Sequence, residues 1–160
     1  MDQFARSVTK MFETVSLGAP ENAVGFVTWR VVHRYQREVD RALQPYDLTH
    51  LQFITLALVA WMGREGNAAT QSQLARFGDI HPMQVSNVLK ALEHKKMVSR
   101  DAAPSHALAK KVRLTKDGLK KLGRVLPIVM DIQLRVFGEE GRPGGSLLKT
   151  LLRIDRARDA

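Results

Sequence analysis

The stretch "HPMQVSNVLKALEHKK", His81 to Lys96, decides the fold. Val85, Val88, Leu89 and Leu92 fall at i, i+3, i+4 and i+7, one stripe of an α-helix. Met83, Asn87, Lys90 and His94 lie on the other side, flanked by Gln84 and Ser86. A merely solvated helix face usually carries alternating charges. This one carries short amides, a hydroxyl and a lysine, which raises the question of what it touches.

Just upstream, "TQSQLARFGD" places Thr70 three residues before Gln73. In that spacing each side chain can bond the other's backbone N–H and start a helix. The spacing predicts a short helix over Gln71 to Phe77, broken at "GDI", with Pro82 at the first position of the next helix. A short helix, a tight turn and an amphipathic helix in succession form the helix-turn-helix pattern.

The flanks are helical too. A helix is predicted from about Asp2 to Val15, ended by "SLGAPEN". The next runs from Ala23 to Leu43, with Val24, Val27, Val31, Tyr35, Val39 and Leu43 on one stripe and Phe26, Trp29 and Val32 on a second. Two apolar stripes imply packing against two neighbours. Gln44-Pro45 ends this helix. A second capping spacing, Thr49 with Gln52, opens another helix that stops between Gly63 and Gly66.

Beyond Lys96 the period changes. Met97, Val98 and Arg100 lead into a loop, and "KKVRLT" then alternates, Val112 and Leu114 facing one way and Lys111 and Arg113 the other. Two short strands make a β-hairpin, or wing. Thr115 can cap a helix over Lys116 to Phe137 that carries Leu119, Leu122, Leu126, Val129 and Leu134, with Pro127 expected to kink or distort it. "GEEGRPGG" breaks the chain before a last amphipathic helix, "SLLKTLLRIDRA". The predicted class is mainly α with a small β-hairpin wing (α+β), a winged helix-turn-helix.

Composition narrows the function. Its 160 residues are 44% hydrophobic, enough for one domain with a core and appended helices. Without cysteine, disulfide scaffolds, thiol nucleophiles and cysteine-based zinc sites are all excluded. The N-terminus lacks an apolar signal-peptide core, and the longest apolar runs fall far short of the roughly 20 residues that span a bilayer. A soluble, cytoplasmic protein is the expectation. The net charge is +9, and Gln71 to Thr115 alone holds eight basic residues against three acidic ones. Such clustering points to a polyanion.

The major groove of B-DNA admits one α-helix, and its base edges offer donors and acceptors to short polar side chains. In a helix-turn-helix the second helix enters that groove and reads with its N-terminal residues. The base-reading candidates are Met83, Gln84, Ser86, Asn87 and Lys90. Gln84 or Asn87 suits adenine, Lys90 guanine or a phosphate, and Met83 a thymine methyl. Thr70, Gln71, Gln73, Arg76, Lys110, Lys111 and Arg113 are the candidates for the DNA backbone. The competing reading is a solvated face with no ligand.

Taken together, "DLTHLQFITLALVA", "ATQSQLARFGDIHPMQVSNVLKALEHKKMV" and "VRLTKDG" resemble the MarR family of winged helix-turn-helix transcription regulators, over about Ala23 to Leu122. The resemblance implies a homodimer with interlocked terminal helices, hence residues 1–46 and 116–160 for dimerisation and 47–115 for DNA. It implies an imperfectly palindromic operator and, commonly, a repressor released by a small molecule. It also implies an Asp and an Arg in the wing, whose positions here hold His106 and Leu108. Either Lys110 and Lys111 supply phosphate contacts instead, the favoured reading, or the wing contributes little to specificity.

A pocket for such an effector would draw on Trp29, Arg30, His33, Trp61 and Met62, lined to suit an aromatic or acidic ligand. Core or interface packing is the competing account of each. His33, His50, His81, His94 and His106 stand in no metal-binding spacing, and no phosphate loop or nucleophile elbow is present, so neither enzyme, metal nor cofactor is expected. The alternatives to a specific regulator are a nonspecific or architectural DNA-binding protein of the same fold, and a fold kept only for protein contacts.

Overall fold

The computed structural model describes residues 2–101 and 111–157. The chain forms two compact units, Met1–Glu38 and Val39–Ala160. The first holds α1 (Gln3–Val15), a 3-10 turn at Pro20–Asn22 and most of α2 (Val24–Leu43). α1 buries none of its residues, and Phe4, Met11, Phe12 and Val15 are exposed. Along α2, Val24, Phe26, Val27, Trp29 and Val32 are exposed as well. The second stripe and the start of the first, Val24 and Val27, are therefore uncovered within one chain, while Val31 and Tyr35 are half-buried.

The second unit begins with the end of α2, where Val39 and Leu43 are fully buried. A 3-10 turn at Gln44–Tyr46 leads to α3 (His50–Gly63), then β1 (Ala69–Thr70), α4 (Gln71–Phe77), α5 (Pro82–His94), β2 (Val98–Arg100), β3 (Lys111–Leu114), α6 (Lys116–Phe137) and α7 (Ser146–Arg156). α3 is the hub, packing against α4, α5, α6, β1 and β3. Its Phe53, Leu56 and Val59 meet a core that includes Leu74, Val85, Leu89, Leu92, Val112 and Val125, all buried. The one buried hydroxyl on α3, Thr55 Oγ1, donates to the Leu51 carbonyl at 2.9 Å.

Both capping boxes form. The Thr49 hydroxyl accepts from Gln52 N–H at 3.2 Å and the Gln52 side chain accepts from Thr49 N–H at 3.3 Å. Thr70 and Gln73 repeat the arrangement at 3.2 and 2.8 Å. Each cap is worth about 1 kcal/mol of local stability. Together they set where α3 and α4 begin.

The wing differs from the hairpin read in the sequence: the sheet has three antiparallel strands in the order β1-β3-β2. Ala69 pairs with Val112 and Thr70 with Lys111 on one edge, Val98 with Leu114 and Arg100 with Val112 on the other. Two residues show no alternation, so β1 was invisible until β3 recruited it. Within β3 the alternation holds, with Val112 fully buried and Lys111 and Arg113 exposed.

The "LTKDG" element ties α6 to the end of α5. Thr115 Oγ1 donates to the Lys96 carbonyl at 2.7 Å and accepts from Gly118 N–H at 3.0 Å, while Thr115 N–H donates to the Met97 carbonyl at 3.1 Å. A Cβ on Gly118 would sit 2.0 Å from the Met97 carbonyl oxygen, so only glycine fits. α6 runs unbroken through the exposed Pro127. Its Leu122, Val125, Val129 and Ile132 are buried; Leu119, Leu126 and Leu134 are exposed. α7 buries no residue and exposes Leu151, Leu152 and Ile154. Among the described residues, no helix is long and apolar enough to cross a membrane.

Candidate nucleic-acid interface

α4 and α5 are joined through Gly78 to His81. The end of α4 is closed by Ile80 N–H donating to the Ala75 carbonyl at 2.9 Å and Gly78 N–H to the Leu74 carbonyl at 3.0 Å, with Asp79 in the left-handed region. Asp79 itself has φ 48. α5 then starts on His81, whose Nδ1 accepts from Met83 N–H at 3.2 Å. A nitrogen that accepts carries no proton, so this cap uses the tautomer protonated at Nε2. Pro82 follows at the first helical position, where its missing N–H costs nothing.

α5 buries Val85, Leu89 and Leu92 and leaves Val88 half-buried. Its opposite side presents Met83, Gln84, Asn87, Lys90 and His94 to solvent, with Ser86 half-buried at the margin. Met83 is 68% exposed and so is open to a partner on this face. No hydrogen bond or ion pair among the described residues engages the side chains of Gln84, Asn87 or Lys90. This face therefore offers an amide pair and a cation to a partner without first breaking internal bonds.

The backbone-contact candidates divide. Arg76 and Lys111 are exposed. Arg113 is half-exposed with its Nε 3.8 Å from the Asp101 carboxylate, a pair too long and too wet to hold it firmly. Thr70 and Gln73 are occupied in capping each other. Gln71 is a correction: the residue is only 5% exposed, buried at the start of α4, so its side chain is not presented to a phosphate. Lys110, and the wing positions His106 and Leu108, lie outside the described residues.

The clustered charge also needs revision. Lys95 Nζ donates to the Asp47 carbonyl at 2.5 Å and to Gln52 Oε1 at 3.1 Å, and pairs with the Asp47 carboxylate at 3.0 Å. The Arg100 guanidinium donates through both Nε and Nη2 to Glu93 Oε2. Two of the eight basic residues are thus turned inward. Sequence alone gave no sign of this, because Asp47 is 48 positions from Lys95.

Of the effector candidates, Trp61 and Met62 line a cleft of about 1000 Å³ with Arg64, Asn67, Gln73, Arg76, Phe77 and Asp155. The Arg64 guanidinium lies 3.9 Å from the centre of the Trp61 ring. Arg64 is a local neighbour three residues along, whereas Arg76 and Phe77 are additions that only the fold brings beside Trp61. Trp29, Arg30 and His33 sit in the first unit, where the Trp29 and His33 rings lie tilted at 38° with centroids 4.3 Å apart and Arg30 lies over Phe26 at 5.7 Å. His33 Nδ1 is 2.7 Å from the Trp29 carbonyl.

The same architecture recurs in solved regulators. A MarR-family regulator from Rhodococcus superposes with a TM-score of 0.70 at 22% identity, over 87% of this chain and 94% of the other. CouR from Rhodococcus jostii, solved bound to p-coumaroyl-CoA, gives 0.71 at 22% identity over 87% and 93%. At the sequence level, an HTH-type transcriptional regulator of Bacillus subtilis, YdcH, is 36% identical over 118 residues, 74% of this chain and 80% of the relative. The chain belongs to the MarR family. No family model matches it. A further MarR-family relative, the Mycobacterium tuberculosis repressor Rv2887, is 26% identical over 84% of this chain and 94% of its own length. Its structure in complex with DNA gives a TM-score of 0.59 at 25% identity, over 81% and 94%. The MarR proteins are transcriptional regulators and not enzymes, and so is this chain.

Proposed function

We propose that this MarR-family regulator is a homodimeric repressor that binds a palindromic double-stranded operator and is released by a small aromatic or acidic ligand. The observation that carries the reading is the outward face of α5: Gln84, Asn87 and Lys90 exposed, unengaged among the described residues, and mounted on a helix whose other side is packed into the core. Residues Met83, Gln84, Ser86, Asn87 and Lys90 would read base edges, and Arg76, Lys111 and Arg113 would meet phosphates. The complex of Rv2887 with DNA supports this use of the fold.

Homodimerisation is supported by the uncovered apolar residues of α1, α2 and α7, in keeping with dimerisation regions at 1–46 and 116–160 flanking a DNA-binding region at 47–115. The cleft around Trp61, Arg64 and Arg76 supports a ligand with an aromatic ring and an acidic group, since the rings offer stacking and the guanidiniums charge. A cytoplasmic site of action follows from access to the chromosome.

The test is a selection of genomic fragments with the purified protein, followed by binding of the enriched fragment in a salt series and sedimentation of the free protein. An enriched palindrome bound far more tightly than random duplex, by a dimer, is the expected result. Uniform, steeply salt-dependent binding with no enriched motif overturns sequence specificity and leaves a nonspecific coating protein. Release of the enriched fragment by aromatic acids would then identify the effector class.

A further inference from the structure

We propose that Lys95, together with the Glu93–Arg100 pair, positions the DNA-reading helix without touching DNA; this rests on the sequence-specific reading above. The three buried residues Val85, Leu89 and Leu92 share one stripe of α5. Such a stripe fixes how deeply the helix sits but resists rolling about the helix axis only weakly. Polar anchors off the stripe supply that resistance. Glu93 and Lys95 are two residues apart, about 200° around a helix of 3.6 residues per turn, so they leave α5 on opposite flanks. One reaches β2, through Arg100. The other reaches the approach to α3, through the Asp47 carbonyl and carboxylate and Gln52 Oε1.

The cations of the anchors are sheltered, the Lys95 side chain 22% exposed and that of Arg100 15%, whereas the side chains of Glu93 and Asp47 are 39% and 80% exposed. Between them the backbone closes in a helix stop, with Lys96 N–H donating to the Glu93 carbonyl and Met97 N–H to the Leu92 carbonyl, both at 2.9 Å. The end of α5 is therefore held from two sides. The consequence is geometric. A side-chain tip lies about 6 Å from the axis, so a roll of about 10° moves it about 1 Å, beyond the tolerance of roughly 0.5 Å for a bidentate contact. Gln84 and Asn87 would lose register while every phosphate-facing cation stayed in place.

The discriminating variants are the acidic partners. Removing a negative charge from a DNA-binding protein should tighten its hold on any duplex. Positioning requires the reverse on the selected sequence. Glu93→Gln and Asp47→Asn are therefore compared with wild type on the enriched fragment and on random duplex across a salt series, with melting curves to confirm that each variant is folded. The expected result is a loss of about three- to tenfold on the enriched fragment only, with random-duplex affinity equal or higher. Lys95→Met should show the same selective loss with an unchanged salt slope, and Lys95→Arg should recover it. Unchanged or tighter binding of both DNAs by the acid variants overturns the proposal. A Lys95→Met loss equal on both DNAs, with the slope lower by about one, overturns it too and makes Lys95 a phosphate contact. Should Lys95→Met fail to fold, the two acid variants decide. Wild type that enriches no motif sinks the operator reading instead, and is seen before any variant is made.

Discussion

Near the start of α5, Gln84, Asn87 and Lys90 face outward with no internal partner among the described residues, whereas at its end Glu93 and Lys95 are tied to Arg100, Asp47 and Gln52. In sequence the two ends look alike, polar and basic on an amphipathic helix. They differ because the fold brings an opposite charge to one end and, among the described residues, none to the other. The free end has polar groups to spend on a partner. The tied end holds the helix still. A basic residue near a DNA-binding helix is thus no evidence of a DNA contact until its own neighbours are known.

The comparison breaks most severely if the shared foundation is removed. Leu89→Ala empties a fully buried site between the two ends and should cost about 2–5 kcal/mol of stability, read by urea unfolding. A cost under about 1 kcal/mol would mean that α5 is not seated as described. Next, Asn87→Ala at the free end should lose about 1–3 kcal/mol on the operator and relax preference at one base position, with unfolding midpoint unchanged. Loss on all sequences alike would move Asn87 from base reading to the backbone. Lys111→Ala on the outward side of β3 should weaken every duplex similarly and lower the salt slope by about one. A changed sequence preference would contradict a phosphate role for it.

Lys96 sharpens the tied end. It closes α5 at φ 58, the left-handed conformation that a side chain opposes and glycine accepts. Lys96→Gly should stabilise the fold by up to about 1 kcal/mol by relieving that strain, net of the entropy glycine adds to the unfolded chain. Destabilisation would mean that the lysine side chain contributes more than its backbone costs. The smallest effect concerns His50, the first residue of α3, beside the Asp47–Lys95 anchor. Burial pushes its imidazole below the ordinary 6.5, against an opposing pull from the Asp40 carboxylate. The unfolded chain therefore takes up the proton first, so this contribution is complete above pH 6.5 and fades as pH falls below it. The melting temperature should drop modestly from pH 7 toward 5, and His50→Gln should flatten that slope. A slope unaltered by the substitution would assign it to other groups.

Much of this protein was legible from local patterns. The bounds of α4, Gln71 to Phe77, follow from a capping box at one end and a glycine break at the other, both interactions within a few residues. The start of α5 at Pro82, the buried stripe of Val85, Leu89 and Leu92, and the outward set from Met83 to Lys90 follow from helical period alone. The family resemblance rests on the same local signals kept in order. Tertiary structure decided the rest. It recruited Ala69 and Thr70 as a third strand, buried Gln71, set Arg76 and Phe77 beside Trp61, and turned Lys95 and Arg100 inward. The physical reason is range: helix period and capping act over three or four residues and are written in the sequence. A charge's availability depends on which distant group the fold brings within about 3 Å of it.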